Sequence, residues 1–327
     1  MQAAFYDRTG PAHEVLQVAE LPAPAPGPGE LRVRLRWSGV NPSDVKSRLD
    51  LRGRGMPFPR IVPHSDGMGV VDAVGAGVPA ARIGQRVWVW NAAWARPFGT
   101  AAQFVVLPAA QAVALPDAAP DEAGACLGIP ALTALQGLLL AGGVAGQRVL
   151  VAGGAGAGGL YAVQMARRLG AAQVLATAST LAKTAIARAA GADAAVDYRA
   201  PDAAAQLREA SAGGVDRIIE VDIAANAALD LEVLRPGGVL AVYGCGAAGF
   251  TLPFFPLILK NLNLHAYIVY ELTPADRARA EATLTAWLAR GDLEHRIAER
   301  LPLARIAEAH EMVERGRAVG NVVLALP

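Results

Sequence analysis

One short segment carries glycines at a spacing that binds phosphates. Gly154, Gly156 and Gly159 form a G-x-G-x-x-G pattern, with Gly158 inside it, and the apolar run 149–151 precedes them. An apolar run without alternation is typical of a buried parallel strand, and helical spacing follows the glycines. In such a strand–loop–helix unit the backbone approaches a pyrophosphate, and the helix N-terminus offers free N–H groups. The segment therefore predicts a dinucleotide site.

The residues after the next strand indicate which dinucleotide binds. An NAD site normally has a carboxylate for the ribose 2′-hydroxyl about 20 residues further on. Here the first acidic residue after Gly159 is Asp193. The expected place instead holds Thr177, Ser179 and Thr180, with Lys183 one helical turn beyond. Hydroxyls and a cation without a carboxylate suit a 2′-phosphate, so we predict NADPH as the cofactor.

Composition sets broad limits on fold and partners. The 327 residues exceed one typical core, so two domains are expected, and 53% hydrophobic with 18% charged residues predicts a well-buried globular protein. The net charge of +1 and the lack of a basic run argue against a nucleic-acid partner. Neither a membrane span nor a signal peptide is indicated, so we expect a cytoplasmic protein. Cys126 and Cys245 are expected to be small packing residues rather than a disulfide.

Strand and helix patterns divide the chain into two parts. Short strands with Gly and Pro punctuation predict a small β-barrel-like domain, at 31–37, 68–75, 84–90 and 104–107. From about residue 121, strands and helices alternate as in βαβ units, with strands at 149–152, 174–177, 194–196, 218–221 and 239–243. We expect a helix over 231–238, late helices at 281–290 and 306–315, and a final strand at 321–326. The predicted domains are 1–121 with 271–327, and 122–270.

Several motifs, taken in order, resemble the zinc-free quinone oxidoreductases, the zeta-crystallin-like branch of the medium-chain dehydrogenase/reductase superfamily. Besides the glycine loop they are Ser-Gly-Val-Asn-Pro-Ser-Asp at 38–44, Pro-His-Ser-Asp-Gly-Met-Gly-Val-Val at 63–71, Gly-Gln-Arg-Val at 84–87, Gly-Thr-Ala-Ala-Gln-Phe-Val at 99–105, Ile-Pro-Ala-Leu-Thr-Ala at 129–134 and Leu-Arg-Pro-Gly-Gly at 234–238. The resemblance, close to full length, implies an α/β protein with a Rossmann-type doubly wound parallel sheet domain and a GroES-like β-barrel domain.

The same resemblance implies an NADPH-dependent reductase of quinones or activated alkenes. Two alternatives stay open: an enoyl-thioester or alkenal reductase, and an NADPH-binding structural or regulatory protein with little turnover. Zinc-dependent relatives place a Cys where this chain has Asn41, and a His-Glu pair where it has Ser65 and Asp66; two cysteines also cannot form their four-cysteine lobe. We therefore expect no metal, and we expect His64 to be a loop or pocket residue.

Family positions also imply individual site residues. Asn41 and Asp44 would lie beside the nicotinamide and the substrate, with Asn41 donating through its amide and Asp44 orienting its neighbours. The alternative is a capped turn, because Asn-Pro-Ser-Asp favours a helix start. The remaining cofactor contacts are Thr133, Gly244 and Cys245 near the nicotinamide, and Ser179, Lys183 and Tyr198 near the 2′-phosphate. Asn321 matches a C-terminal cofactor contact of the family.

Aromatic residues and one apolar segment complete the predictions. An aromatic cluster of Trp88, Trp90, Trp94 and Phe98 would stack on a planar substrate or belong to the barrel core, and Phe58, Phe250 and Phe254 are further pocket candidates. Segment 262–270 has the pattern of an edge strand. An exposed apolar edge invites pairing, so we predict a homodimer through this segment.

Overall fold

The computed structural model describes residues 1–51 and 53–327 and contains two compact units. Unit 1 comprises Met1–Pro130 and Glu281–Pro327, and unit 2 comprises Ala131–Ala280. The strands are β1 (Gln2–Phe5), β2 (Gln17–Glu20), β3 (Glu30–Val40), β4 (Asp66–Val74), β5 (Arg86–Val89), β6 (Phe104–Pro108), β7 (Ala112–Ala114), β8 (Arg148–Val151), β9 (Gln173–Ala178), β10 (Ala194–Asp197), β11 (Val215–Glu220), β12 (Leu234–Val242), β13 (Asn263–Ala266), β14 (Ile297–Pro302) and β15 (Asn321–Ala325).

The helices between these strands vary in length. They are α1 (Ala12–Val15), α2 (Pro42–Arg48), α3 (Asp121–Gly124), α4 (Leu132–Leu139), α5 (Ala157–Arg168), α6 (Leu181–Ala189), α7 (Ala203–Ala210), α8 (Ile223–Val233), α9 (Phe254–Leu259), α10 (Pro274–Arg290) and α11 (Ile306–Glu314). A π-helical turn, Leu127–Ala131, precedes α4. Within the described part of the chain, none of these helices is both long and apolar enough to cross a bilayer.

Unit 2 is built on a parallel sheet in the order β10-β9-β8-β11-β12-β13. Counted from β8, this is the strand order 3-2-1-4-5-6 of a dinucleotide-binding domain. Its strands are continuous apolar runs, and Leu150, Leu175, Ile218 and Leu240 form part of one buried cluster. The predicted parallel sheet is confirmed, and β13 is its outermost strand on one side.

The helix expected over 231–238 is wrong in its second half. α8 ends at Val233, and the Leu-Arg-Pro-Gly-Gly segment already belongs to β12. Pro236 lacks a backbone N–H and would break a helix there. The pairing of β12 with β11 instead jumps from Leu234 to Val239, so the segment forms an irregular bulge. Gly237, at φ 77°, supplies the left-handed turn within it.

Unit 1 contains a mainly antiparallel sheet in the order β14-β15-β3-β4-β5-β7, with β6 also paired to β3. β3 alternates as predicted: Leu31, Val33 and Leu35 are buried against a cluster with Val87 and Val105. The strand nevertheless continues past the predicted end, to Val40. β15 runs antiparallel to the last residues of β3, which places the C-terminal segment in this unit.

Arg217, in the middle of β11, is fully buried and fixes the end of α4. Its Nη1 atom donates to the carbonyls of Gly137 and Leu140 at 3.0 and 2.9 Å. Its Nη2 atom donates to Ala141 and Gly143 at 3.2 and 3.0 Å, and Nε donates to Gln147 Oε1 at 3.2 Å. The guanidinium thus satisfies carbonyls that a helix C-terminus leaves without partners. Burial lowers the pKa of Arg217 from its ordinary value.

Candidate cofactor site

The glycine loop of unit 2 joins β8 to α5 as predicted. Gly154 and Gly159 are buried where side chains would collide: a Cβ on Gly154 would lie 2.6 Å from Ala176 Cβ, and one on Gly159 would lie 2.2 Å from the Gly153 carbonyl oxygen. Gly156 is the exposed N-cap of α5, without a side-chain cap, and Gly158 is half-buried in the first turn. The first N–H groups of α5 are therefore available to an anion.

The turn itself depends on a glycine outside the fingerprint. Gly153 has φ 67°, a left-handed conformation, and its N–H donates to Thr177 Oγ1 at 3.2 Å. Gly154 N donates to the Thr177 carbonyl at 2.8 Å. Thr177, in β9, therefore holds the loop, and its side chain is buried.

The structure brings Ser179, Lys183 and Tyr198 to one edge of the sheet. Ser179 follows β9, Lys183 lies in the first turn of α6, and Tyr198 follows β10, which pairs with β9 so that Asp197 lies opposite Ala178. The Tyr198 N–H donates to the Ala178 carbonyl at 3.1 Å. Tyr198 is 42% exposed, so its ring is accessible. The second threonine of the set, Thr180, is the N-cap of α6 and accepts from Lys183 N.

Two charged residues at this edge escaped the sequence analysis. Arg199 is exposed, with its guanidinium carbon 5.8 Å from the centroid of the Tyr198 ring. Asp197 is half-exposed and accepts a hydrogen bond from Arg199 N at 3.0 Å. The order of residues along the chain does not indicate that Asp197 and Arg199 lie near Ser179, because the pairing of β10 with β9 brings them together. Lys183 and Arg199 thus place two cations, and Asp197 one carboxylate, in these adjoining segments.

The residues predicted near the nicotinamide in unit 2 lie at the start of α4 and after β12. Thr133 is buried, and its carbonyl accepts from the Tyr267 hydroxyl at 2.8 Å. Gly244 must be a glycine, because a Cβ there would lie 1.9 Å from the Val221 carbonyl oxygen. Cys245 is half-buried and packs against the core of unit 2, as expected of a small packing residue, and neither it nor the buried Cys126 is in a disulfide.

A pair of buried carboxyls lies beneath the same strand ends. Glu220, the last residue of β11, accepts hydrogen bonds from Asp222 N and, at 2.9 Å, from Asn226 Nδ2. Asp222 in turn accepts from Gly246 N at 2.7 Å. Burial raises the pKa of Asp230, and the charge of Glu220 raises it further; burial also raises the pKa of Glu220. Burial and the neighbouring carboxyl therefore favour the protonated form of Asp230.

This pair predicts a pH-dependent stability. The pKa of Asp230 is higher in the folded protein than in the unfolded chain. Its contribution to the free energy of unfolding is therefore complete below the unfolded pKa of about 4, and it is lost as the pH rises through the folded pKa. Asp230→Asn keeps a donor for Glu220 and removes the titration. We expect this variant to raise the melting temperature near pH 8, by about 2–4 °C for each kcal/mol gained in the free energy of unfolding. Near pH 4 the melting temperature should change little. Thermal unfolding across pH measures this; Glu232→Gln, at an exposed carboxyl of α8, is the control. A pH-independent difference would contradict the prediction.

In unit 1, Asn41 and Asp44 form the capped turn that was one of the two interpretations. Asn41 is the N-cap of α2: its side chain accepts from Asp44 N, and the Asp44 carboxylate accepts from Asn41 N at 2.8 Å. Asn41 Nδ2 also donates to Asp66 Oδ2 at 3.0 Å. The amide is thus oriented from both ends, since Oδ1 faces a donor and Nδ2 faces a carboxylate. Nδ2 retains one further hydrogen, so this amide can act as a donor.

Asp66, which sequence reasoning did not assign to the site, fixes this arrangement. It is fully buried, and its Oδ2 also accepts from Ile129 N at 3.0 Å. A Cβ on Gly128 would lie 2.3 Å from Asp66 Oδ1, so the π-helical turn packs closely on this carboxylate. The carboxylate therefore connects the Asn41 turn to the end of the first segment of unit 1.

His64 is a buried loop residue rather than a pocket residue. Its ring nitrogens lie 2.8 Å from Ser38 Oγ and 2.9 Å from His310 Nε2. Burial lowers the pKa of His64 to about 3, and burial also lowers that of His310, so both rings are neutral. Thr100 Oγ1 donates to the Asp66 carbonyl at 2.6 Å and lies 2.8 Å from Ser38 Oγ. Because that donation uses the Thr100 hydrogen, Ser38 donates to Thr100, His64 to Ser38, and His310 to His64.

These residues do not form a metal site. Within residues 1–51 and 53–327, no three His, Cys, Asp or Glu side chains are grouped to hold a metal ion. The positions aligned with zinc ligands carry Asn41 and Ser65, and the Asp66 oxygen that faces them accepts two N–H groups. The donor set therefore does not fit catalytic zinc.

The remaining predicted residues are placed as follows. Asn321 begins β15, and both its backbone N and its Nδ2 donate to the Arg296 carbonyl, at 2.9 and 3.2 Å. Trp88 is fully buried opposite Met68 and belongs to the core of unit 1, whereas Phe98 is 48% exposed. Trp90, Trp94 and Phe58 are half-exposed in unit 1; Phe250 and Phe254 are exposed in unit 2.

Comparisons with known proteins agree with this architecture. The family described as Alcohol dehydrogenase GroES-like domain matches residues 27–117, and the one described as Zinc-binding dehydrogenase matches residues 158–288. Human quinone oxidoreductase is 30% identical over 299 residues, 90% of this chain and 88% of the relative. The structure of an NAD-dependent alcohol dehydrogenase has a TM-score of 0.91 at 31% identity, covering 100% of both chains. A mycobacterial protein complexed with NADPH has a TM-score of 0.88 at 29% identity, covering 99% of this chain and 100% of that one.

The chain therefore belongs to the medium-chain dehydrogenase/reductase superfamily, and quinone oxidoreductases are among its relatives. The predicted fold class is confirmed, with the GroES-like domain in unit 1 and the Rossmann-type domain in unit 2. The similar structures include both an NAD-dependent protein and one with NADPH bound. The choice of cofactor therefore rests on the residues of this chain.

Proposed function

We propose that the protein is an NADPH-dependent oxidoreductase that transfers a hydride to quinones or activated alkenes without zinc. The observation that carries the proposal is the end of β9, where no carboxylate follows the strand and where Ser179, Lys183 and Tyr198 lie just after β9, in α6 and just after β10, the strand paired with β9. The helix N-terminus at Gly156 would hold the pyrophosphate. Thr133, Gly244 and Cys245 of unit 2 would contact the nicotinamide half, and Asn321 stays a proposed cofactor contact from its family position.

The role of Asn41 follows from the orientation of its amide. NADPH, when bound, supplies the hydride to an acceptor that is already electrophilic. The free hydrogen on Asn41 Nδ2 would donate to the oxygen on which negative charge develops, and Asp44 and Asp66 would keep the amide in place. Because the positions of zinc ligands hold Asn41 and Ser65, substrate polarisation would depend on such donors rather than on a Lewis acid.

NADPH oxidation tests the proposal directly. A quinone, an enone and an enoyl thioester would be offered with NADPH or NADH, with a chelator in one arm. Turnover that prefers NADPH and ignores the chelator supports the proposal, and the best acceptor identifies the substrate class. Preference for the thioester would favour the enoyl-thioester reductase alternative. NADPH binding without turnover would favour a structural or regulatory protein.

Lys183 provides a prediction about cofactor choice. We expect Lys183→Ala to lower kcat/KM for NADPH about ten- to hundredfold, the equivalent of one charge-assisted hydrogen bond, and to leave kcat/KM for NADH almost unchanged. Steady-state kinetics with both cofactors measure the ratio. Arg208→Ala, which removes an exposed cation of α7 that pairs with Glu232, is the matched control. Equal losses for both cofactors would contradict the assignment.

We also propose that the protein forms a homodimer through β13. All four residues of this outermost strand are exposed, including Leu264, and α9 nearby exposes Phe255 and Leu259. Pairing with a second copy would cover the open edge of β13, which contains no Asp, Glu, Lys or Arg. Sedimentation velocity tests this, and a strictly monomeric profile would overturn it. The cytoplasmic location and the lack of a nucleic-acid partner stay predictions from composition.

A further inference from the structure

Tyr267 makes contacts with both segments of unit 2 that we assign to the nicotinamide half of the cofactor. It follows β13 directly and is half-buried. Its hydroxyl donates to the Thr133 carbonyl at 2.8 Å, in the first turn of α4. Its backbone N–H donates to the carbonyl of Val242, the last residue of β12, at 3.0 Å. Gly244 and Cys245 lie just beyond that residue.

The environment of the hydroxyl shows that α4 is adapted to it. A Cβ on Gly137 would lie 2.5 Å from Tyr267 Oη, so only glycine leaves room for the hydroxyl at this point of the helix. Glycine weakens a helix interior by about 1 kcal/mol relative to alanine. The ring of Tyr267 also packs near that of Tyr243, with centroids 6.2 Å apart. The hydroxyl is therefore accommodated at a cost to the helix that holds Thr133.

We propose that Tyr267 is a positioning residue for the nicotinamide half of the cofactor site, acting through Thr133 and Gly244. The hydroxyl sets the start of α4, and the backbone N–H sets the end of β12. This inference rests on the proposed function, because it takes Thr133 and Gly244 as cofactor contacts. The proposed adenosine half, at Ser179, Lys183 and Tyr198, lies at β9, α6 and β10, away from the segments that Tyr267 contacts.

Tyr267→Phe removes the hydroxyl alone, and two ligands separate its effects. NADPH engages both halves of the site, whereas adenosine 2′,5′-bisphosphate has no nicotinamide. We expect the variant to weaken NADPH binding about tenfold, to change the fluorescence of bound NADPH and to leave the Kd of adenosine 2′,5′-bisphosphate unchanged. Lys183→Ala is the matched control, because it should weaken both ligands. Titration calorimetry and nicotinamide fluorescence measure these values.

Gly137→Ala supplies a second, independent test. The added methyl group would displace the hydroxyl, so this variant should reproduce the pattern of Tyr267→Phe. In the Tyr267→Phe background the methyl group meets no hydroxyl, so the double variant should bind NADPH no more weakly than Tyr267→Phe alone. Equal weakening of both ligands, unchanged NADPH binding, or additive losses in the double variant would overturn the proposal. Wild-type protein that binds neither ligand would instead refute the proposed function.

Discussion

Asn41→Ser is expected to lower kcat with quinone or enone acceptors about a hundredfold, without unfolding unit 1. Serine is as good an N-cap as asparagine, so the start of α2 should be retained. It cannot reach both Asp66 and a substrate oxygen, and the loss of one oriented donor to developing negative charge costs about 10²- to 10³-fold in kcat. Single-turnover hydride transfer, followed by nicotinamide absorbance, measures the effect.

Two comparisons make this result specific. Ser47→Ala, at an exposed position of the same helix, should leave kcat unchanged. The melting temperature of Asn41→Ser should stay close to that of the wild type, which would separate a lost donor from a lost cap. If kcat were unchanged, the capped turn would be the whole role of Asn41, and a different donor would have to be sought.

Arg217→Met is expected to destabilise unit 2 by about 3–5 kcal/mol, because buried carbonyls would lose a charged donor without gaining another. Four carbonyls at the end of α4 and in the following turn would lose their hydrogen bonds to the guanidinium. Methionine matches the length of the aliphatic stem but donates nothing. Urea unfolding followed by far-ultraviolet circular dichroism measures the change.

The chain offers a control for this variant and an optical means of locating its effect. Arg235→Met removes a guanidinium from a half-exposed pair with Asp216, and it should cost less than about 1 kcal/mol. All 5 tryptophans belong to unit 1, so intrinsic tryptophan fluorescence follows that unit alone. An Arg217→Met protein that unfolds like the wild type would show that the carbonyls find other donors.

Periodicity made most of the fold predictable. The parallel strands are continuous apolar runs and β3 alternates, so both appear at the expected positions. The Pro-Gly-Gly segment was predicted to end a helix but lies in a bulge of β12, because Pro and Gly are typical of both structures. The site was predictable where a motif is local, as at the glycine loop. Asp66, Asp197 and Tyr267 were missed because their partners are brought close only by strand pairing or by packing between distant segments.

β15 is the last of the described strands along the chain, so its pairing with β3 forms late during synthesis. Unit 2 is continuous, so every one of its strands has been made before the last residues of unit 1. β3 pairs with β6 through its first half, but its second half, from Trp37 to Val40, pairs with β15. The other edge of that half pairs with β4, so a nascent chain leaves one edge of it open until translation reaches β15, and an exposed strand edge favours aggregation. The turn that begins at Asn41 follows this same half-strand, so the strand that leads into the turn gains its last pairing only when β15 has been made.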